Sequence, residues 1–273
     1  MTPSQSPSSS SSPCATEQPI AADTPVAEIA RRSDAHAAIL DRYHLDFCCG
    51  GRRTLVAACK AAGIDLDGVM IELNAAAPRS GQPQQRQIDW NDRPLPELID
   101  HIGYGHHAYT RAAIVRLAPL MEKVVTHHGD RHPELARVEA AFVDLVADMG
   151  PHMAREEKVL FPYIRALANV GDRLGAPPFG TVRNPVRRMM MEHDHAAELL
   201  AEIQLASHEL ATPPDACGSF AALYAGLREL RLDLLTHVSL ENNVLFPRAI
   251  ALEDSLLQAT SERPAPATFP EGR

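Results

Sequence analysis

The sequence lacks any uninterrupted apolar run that approaches the 18 or so residues a membrane-spanning helix requires. It also lacks a dense block of Lys or Arg, and its formal net charge is −9. A negative chain without a basic patch argues against a general nucleic-acid binder and against adhesion to anionic lipid. We therefore expect its partners to be neither nucleic acids nor membranes.

The spacing of a disulfide scaffold is absent as well. The five cysteines are an odd number in a long chain, and they are Cys14, Cys48, Cys49, Cys59 and Cys217. The first residues are rich in Ser and Pro and do not show the basic segment and apolar core of a secretory signal. We expect a cytoplasmic protein with reduced thiols. Cys14 is expected to have no role, and Cys59 and Cys217 are expected to be core or incidental residues.

Helical patterns do fill the chain, and they predict an all-α fold. Residues 1–22 and 252–273 are expected to be disordered tails, because they are polar and rich in Pro. Residues 23–77 predict a small helical domain, and residues 78–92 predict a linker with Pro, Gly and Gln. Residues 93–251 contain four long helical segments with short connections, which predicts an antiparallel four-helix bundle.

A phrase that occurs twice lies in the second and in the fourth of these helical segments. Residues 152–162 and residues 237–247 both fit the pattern H-x-x-x-E-x-x-V-L-F-P, at an offset of 85 residues. Residues four apart lie on one face of a helix, so each His projects together with its Glu. An imidazole and a carboxylate on one face, twice over, are typical of a metal site in a helical bundle.

If the bundle is two duplicated hairpins, each half should carry a further ligand on its other helix. Counting 45 residues back from His152 reaches His107, and counting 44 back from His237 reaches His193. The candidate set is four imidazoles and two carboxylates from all four helices: His107, His152, Glu156, His193, His237 and Glu241.

Two of these positions have neighbouring alternatives. His106 competes with His107, because the helical periodicity there is ambiguous and the repeat distance favours His107 only weakly. His195 competes with His193, but the same-face neighbours of His193 are apolar and those of His195 are glutamates. The other histidines are expected to be surface, cap or core residues.

The residue types of this set predict iron. Imidazole together with carboxylate favours Fe, Zn or Mn, and no Cys joins the set. Two carboxylates can bridge two metal ions, and six ligands leave positions open for water, an oxo bridge, O₂ or NO. We interpret the set as a non-haem di-iron centre with oxo and carboxylate bridges. Glu157 and Glu192 are either supporting groups around it or exposed helix carboxylates.

Cys48 and Cys49 form a second feature, in a turn that ends with two glycines. Arg52 and Arg53 follow, and nearby positive charge or a helix N-terminus favours a lowered thiol pKa. Adjacent cysteines do not have the spacing of a structural zinc site. The alternatives are a strained disulfide between neighbours or two buried structural thiols.

These motifs together resemble the repair-of-iron-centres family (the YtfE/ScdA/DnrN type). The resemblance rests on the turn Asp46-Phe47-Cys48-Cys49-Gly50-Gly51 and on the two H-x-x-x-E-x-x-V-L-F-P phrases, and it covers about residues 24–250. It implies a hemerythrin-like bundle behind a small domain that carries the cysteine turn. It assigns the di-iron ligands to the six residues named above, with bridging glutamates, and so favours His107 over His106, where the family has Tyr.

The resemblance implies repair of iron–sulfur clusters after nitrosative or oxidative stress, with iron donation as the expected mechanism. Cys48 and Cys49 would act on the client from a domain made mobile by the linker. Partners would be damaged iron–sulfur proteins, NO or O₂ as small ligands, an electron donor of unknown identity and a second copy of the chain in a homodimer. The alternatives are a di-iron nitric oxide reductase that makes N₂O, and a sensor of O₂ or NO.

Overall fold

A computed structural model describes residues 19–76, 88–170 and 177–261. These ranges contain helices and turns but no β-sheet, which confirms the expected all-α class. Within them, no helix combines the length and the apolar character that crossing a membrane would demand.

The small N-terminal domain consists of four short helices: α1 (Val26–Arg32), α2 (Asp34–Arg42), α3 (Leu55–Ala62) and α4 (Leu66–Ala75). Their ends follow local chemistry. The Thr54 and Asp65 side chains accept hydrogen bonds from the first turns of α3 and α4, as N-caps do. Gly63 ends α3 at a φ of 68°, a left-handed conformation that glycine adopts without steric cost.

The larger domain is an up-down-up-down bundle. Its first helix comprises α5 (Leu95–His101), a π-helical segment (Ile102–His107) and α6 (Ala108–His128). The second comprises α7 (Leu135–Arg155), a π-helical segment (Glu156–Leu160) and α8 (Phe161–Val170). The third is the continuous α9 (Arg183–Ala206), and the fourth comprises α10 (Gly218–Leu240), a π-helical segment (Glu241–Leu245) and α11 (Phe246–Ser261).

The apolar core is divided into two clusters. Cluster 1 contains Leu117, Leu145, Leu200 and Leu230 of the bundle together with much of the N-terminal domain. Cluster 2 contains Leu98, Ile164, Val186 and Leu245 from the other end of the bundle. Each long helix passes from one cluster to the other, and the candidate metal ligand of each helix lies where it crosses between them. The six polar residues therefore form one layer across the bundle.

The N-terminal domain packs against the fourth helix of the bundle. Arg231 on α10 bonds to Asp41 on α2 at 2.7 Å, and neither side chain is more than 20% exposed. The Ser239 hydroxyl donates to the Phe47 carbonyl at 3.0 Å. In this structure the cysteine turn is thus docked on the bundle, although the sequence led us to expect a mobile domain.

The N-terminal boundaries differ from those expected. Ile20 is buried in cluster 1, and its N–H donates to the Asn74 side chain at 2.8 Å, so ordered chain begins inside the predicted 1–22 tail. Residues 1–18 lie outside the described residues, as do residue 77 of the predicted domain and residues 78–87 of the predicted 78–92 linker. At the end of that linker, Trp90 packs against cluster 2, and its carbonyl accepts a hydrogen bond from Arg248.

The C-terminal boundary was wrong, because the fourth helix continues from the expected end at residue 251 to Ser261. The reason is Glu253, which is only 4% exposed. Its carboxylate accepts hydrogen bonds from the Val182 N–H at 2.9 Å and from the Tyr163 hydroxyl at 2.7 Å. These bonds attach the added turns to the second and third helices, which sequence periodicity does not reveal.

Candidate metal centre

The structure brings all six sequence-predicted ligands together in the layer between the two clusters. Each is at most 2% exposed. They form two groups of four whose ligand atoms lie within 4.8 Å of one another: His107, Glu156, His237 and Glu241, and His152, Glu156, His193 and Glu241. We call these groups position A and position B. Both glutamates belong to both positions, as bridging carboxylates would.

The ring nitrogens that face the centre are Nε2 atoms throughout. In position A the Nε2 atoms of His107 and His237 are 3.2 Å apart, and a Glu241 oxygen lies 3.0 Å from His237 Nε2. In position B the Nε2 atoms of His152 and His193 are 3.1 Å apart, and another Glu241 oxygen lies 3.1 Å from His193 Nε2.

The outward nitrogens of three rings determine where their protons are. Nδ1 of His107 lies 2.8 Å from a Glu157 oxygen, and Nδ1 of His152 lies 2.8 Å from a Glu192 oxygen. Nδ1 of His193 lies 2.9 Å from Oδ1 of the Asn242 side chain. Since these partners accept, Nδ1 carries the proton in each neutral ring, and the Nε2 lone pair points inward, as a metal ligand requires.

The supporting carboxylates are ionised. Burial by itself would raise the pKa of Glu192, but hydrogen bonds from two arginines and His152 bring it down to about 2. Burial would likewise raise the pKa of Glu157, but hydrogen bonds from His107 and Arg111 lower it. Burial, reinforced by repulsion from His193, lowers the pKa of His152 to about 4, which keeps that ring neutral at pH 7.

The centre fits a cation because buried carboxylate oxygens and imidazole nitrogens converge in it. All four carboxylate oxygens of Glu156 and Glu241 are buried and receive no hydrogen bond. Burial and the neighbouring Glu241 carboxylate raise the pKa of Glu156 well above its usual range. Buried acceptors without partners cost free energy, and metal ions between them remove that cost.

The second half of the repeated phrase explains two of the three π-helical segments described above, those that begin at Glu156 and at Glu241. The N–H of Phe161 donates to the carbonyl of Glu156, and that of Phe246 donates to the carbonyl of Glu241, each five residues back. Pro162 follows the first Phe and Pro247 the second, and a proline ring clashes with the carbonyl four residues earlier in an ordinary helix. The wider turn relieves this clash, and π-turns are frequent at functional sites.

The two phenylalanines of the phrase also cover the ligands of the opposite helices. Phe161 stacks on His107 with ring centroids 5.6 Å apart, and Phe246 stacks on His193 at 5.9 Å. The phrase therefore encodes a pair of candidate ligands, a widened turn and an aromatic ring that packs on a third candidate ligand.

The repeat is broken at two positions next to the ligands. Glu157 supports His107, whereas Asn242, at the equivalent place, supports His193. Glu192 supports His152, whereas His106, at the place equivalent to Glu192, bonds to Asp233 at 2.9 Å. His106 leaves Nδ1 of His237 without a hydrogen-bond partner. Positions A and B therefore have different surroundings.

The cysteine turn lies next to position B. The Asp46 carboxylate holds the turn by accepting the N–H groups of Cys48, Cys49 and Gly50 at 2.7–3.1 Å. The two sulfur atoms are 3.7 Å apart and form no disulfide, and Cys48 is buried whereas Cys49 is exposed. Asn242 connects turn and centre, because its N–H group approaches the Cys48 carbonyl at 3.4 Å.

The expected lowering of a thiol pKa was wrong for Cys48. The hydrogen bond to the Cys49 sulfur, then burial, raise the pKa of Cys48. The physical reason is that the neighbouring side chain is the Asp46 carboxylate, 3.3 Å from the Cys48 sulfur, while Arg52 and Arg53 point to solvent.

Comparisons with known proteins agree with this geometry. The profile described as "Hemerythrin HHE cation binding domain" matches residues 99–249, and that described as "Domain of Unknown function (DUF542)" matches residues 22–77. An "Iron-sulfur cluster repair protein YtfE" from Cronobacter sakazakii is 38% identical over 227 residues, which span 83% of this chain and 96% of that protein. Proteins of the same name from Escherichia coli and Escherichia fergusonii are 36% identical over the same shares.

The chain belongs to the YtfE family. This membership confirms the resemblance seen in the motifs, and with it the hemerythrin-like character of the bundle. The family's cation-binding domain and the two His/Glu groups together point to iron binding.

A cavity of about 430 Å³ leads to position B from the surface. Its walls include Cys48, both position B histidines, Glu192 and Arg155. The YtfE-type cysteine turn thus contributes one sulfur to a space that also touches two candidate ligands. Sequence reasoning missed Asn242, Phe161 and Phe246, although all three stand inside the repeated phrase.

Proposed function

We propose that this chain is a di-iron protein that repairs iron–sulfur clusters damaged by nitric oxide or oxidants, and that it does so by donating iron. The observation that carries the proposal is the layer of six buried candidate ligands, in which two carboxylates and three Nε2 lone pairs converge. The repair of iron–sulfur clusters, for which its relatives are named, supplies the client chemistry.

His107 and His237 would hold one iron and His152 and His193 the other, with Glu156 and Glu241 shared. When bound, the iron pair would supply redox chemistry and a metal ion that can be released. The donor set suits iron because it combines imidazoles with carboxylates and contains no thiolate.

The surrounding residues orient the six candidate ligands toward the centre of the layer. Glu157 and Glu192 hold the Nδ1 protons of His107 and His152, which keeps the Nε2 lone pairs directed inward. The aromatic rings of the two phrases and the apolar clusters on either side shield the layer, and the cavity beside position B connects it with the surface.

In this proposal iron is the cargo, and the cavity beside position B is the path along which it leaves the layer. Its walls beside position B include Glu192 and Cys48, a carboxylate and a sulfur. Both are metal-binding groups, so each can hold iron in transit between the buried layer and the surface. The four described cysteines are free thiols, which suits the reducing cytoplasm in which we place the protein.

The first experiment is metal analysis and ultraviolet-visible spectroscopy of the purified chain. We expect two irons per chain, lost in His193→Gln and retained in His195→Gln, because His193 faces the layer and His195 is an exposed neighbour two residues away. Zinc alone in the wild-type chain would refute the di-iron assignment.

The second experiment tests repair. A cluster enzyme inactivated by nitric oxide is incubated anaerobically with the iron-loaded chain, with the iron-free chain, or with His193→Gln that has been through the same iron-loading procedure. We expect enzyme activity to recover only with the iron-loaded wild type. The number of iron ions that this chain loses should then rise in proportion to the number of clusters restored. Steady N₂O formation without iron loss would identify a nitric oxide reductase instead, and reversible gas binding without recovery would identify a sensor.

A further inference from the structure

A second group of reactive side chains lies at the far end of the first and fourth helices. His128 is the last residue of α6, and Cys217 immediately precedes α10. The Nε2 atom of His128 lies 3.2 Å from the Cys217 sulfur. His128 follows the candidate ligand His107 by 21 residues, which places this group roughly 30 Å along the helix from the metal layer. The group therefore has no part in the metal site.

The partners of His128 define the direction of its hydrogen bond to sulfur. An Arg131 nitrogen lies 3.3 Å from His128 Nδ1, and a guanidinium can only donate, so Nδ1 is the acceptor. The neutral ring then carries its proton on Nε2. That proton points at Cys217, and a thiolate is a better acceptor for it than a thiol.

The backbone acts in the same direction. Cys217 stands in the N-cap position of α10, a helix of 23 residues. The backbone N–H groups of Phe220 and Ser219 and the charge of Lys123 lower the pKa of the Cys217 thiol, although its limited burial opposes them. Helix N-termini and basic neighbours are the settings in which protein thiols become reactive.

A cavity of about 540 Å³ opens beside the sulfur. The ionisable residues in its wall are Lys123, His127, His128 and Cys217, and the wall contains no carboxylate among the described residues. The nearest carboxylate in sequence, Asp215, is bonded to His132 at 3.1 Å and faces Arg131 at 3.9 Å. The space beside the sulfur is thus accessible, basic and large enough for a small peptide.

We propose that Cys217 is a reactive thiolate which forms a mixed disulfide with a small anionic disulfide of the glutathione type. The Cys217 sulfur attacks one sulfur of that disulfide, the new S–S bond forms as the old one breaks, and the second half leaves as a thiolate. No further oxidant is needed. The sequence led us to expect an incidental cysteine, because Lys123, His128 and Arg131 are distant from it along the chain.

The other described cysteines are less suited to this reaction. Cys59 is buried in cluster 1, and its pKa is raised by burial. Cys48 is buried, and its pKa is raised as well. Cys49 is exposed, but the described residues around it include neither a histidine in contact with its sulfur nor a helix N-terminus. Cys49 therefore serves as the internal comparison.

The test uses the full reduced chain and reads each cysteine by peptide mass spectrometry. In the first measurement, the rate of alkylation by neutral iodoacetamide is followed from pH 5 to 10, for the folded chain and for the chain in urea. We expect the pH midpoint for Cys217 to lie lower in the folded chain. His128→Leu should raise that midpoint, and His128→Gln should retain part of the shift, because its amide can still donate.

In the second measurement, glutathione disulfide, which is anionic, is compared with cystamine, which is cationic. A lower pKa increases the thiolate fraction but weakens its nucleophilicity, so we expect only about a threefold gain over the unfolded chain from that cause. The stronger evidence for the proposed site would be a preference of Cys217 for the anionic over the cationic disulfide. The glutathione-to-cystamine rate ratio at Cys217 should exceed that in urea, decrease with salt and decrease in Lys123→Gln, but not in Lys158→Gln.

Equal midpoints for Cys217 in the folded and unfolded chains would overturn the proposal, as would faster reaction at Cys49 or a rate ratio unaffected by Lys123→Gln. If His128→Leu does not fold, as judged by circular dichroism, the wild-type and lysine-variant measurements still decide the matter. Iron content should be the same before and after modification, because the site is remote from the metal layer.

Discussion

Gly51 lies where the cysteine turn meets the bundle, and replacing it with alanine is the sharpest test of that docking. An added Cβ would lie 2.5 Å from the Phe47 carbonyl oxygen, 2.6 Å from the Ala27 Cβ and 2.7 Å from the Asn243 amide nitrogen. The first two atoms cannot rotate away, so the backbone must shift. Phe47 is also the residue whose carbonyl accepts from Ser239 at 3.0 Å. The shift therefore loosens the contact between the domains.

The magnitude follows from two costs. Overpacking a tight site costs about 1–3 kcal/mol. A weakened interdomain hydrogen bond costs about 0.5–1.5 kcal/mol more. We expect Gly51→Ala to lower the free energy of unfolding by about 2–4 kcal/mol, as measured by urea titration, and to expose the Cys48 thiol to a neutral alkylating reagent.

Gly150→Ala is the matched control. It lies within α7, and an added Cβ there would have no atom within 4 Å. Alanine in place of glycine in a helix stabilises by up to about 1 kcal/mol. If Gly51→Ala behaved like Gly150→Ala and Cys48 stayed protected, close approach of the turn to the bundle would not be what holds the domains together.

Three further predictions concern the metal layer and its surroundings. Removing metal with a chelator should lower the melting temperature in calorimetry, and iron should restore it, because a ligand at 100 times its Kd stabilises by about 2.7 kcal/mol. Glu157→Gln and Glu192→Gln should each weaken metal affinity about 10- to 100-fold in a chelator competition. Hydrogen bonds to Glu134 and Asp215 raise the pKa of His132, so its contribution to stability is complete below about pH 6.5 and disappears as the pH rises through the folded-state pKa. His132→Gln should therefore destabilise more at pH 6 than at pH 9 in urea titrations.

Each of these has an outcome that would contradict it. A melting temperature unchanged by chelation would mean that the layer is stable without a cation. Equal metal affinity in Glu192→Gln and in Glu198→Gln, whose wild-type side chain is 79% exposed, would mean that the bond to His152 does not orient the ring. If His132→Gln destabilised the chain equally at pH 6 and pH 9, the contacts of His132 would stabilise it by packing and not by charge.

The six candidate ligands could be singled out from the sequence because two of them recur in each half at helical spacing. A repeat can be recognised in a single sequence, without relatives. The repeat distance favoured His107 over His106, and in the structure His107 is the buried one of the two. The apolar neighbours of His193 likewise indicated its inward direction, because a helix of ordinary geometry preserves periodicity along α9.

The supporting contacts could not be predicted, because they join residues that are distant in sequence or lie in turns of altered geometry. The π-helical segments rotate the residues after Glu156 and Glu241 away from their ordinary helical directions, so Glu157 reaches His107 on another helix. The role of Asn242 depends on the docked turn, and the extension of the last helix depends on partners of Glu253 some 70 and 90 residues earlier.

The broken repeat around the layer has a consequence for the order in which metal is acquired. Both imidazoles of position B have hydrogen-bond partners on Nδ1, whereas His237 of position A has none. Rings that are already oriented lose less freedom when they bind. One equivalent of metal should therefore fill position B first and yield a single spectroscopic species, where a symmetric duplicate would yield a statistical mixture of empty, half-filled and filled chains.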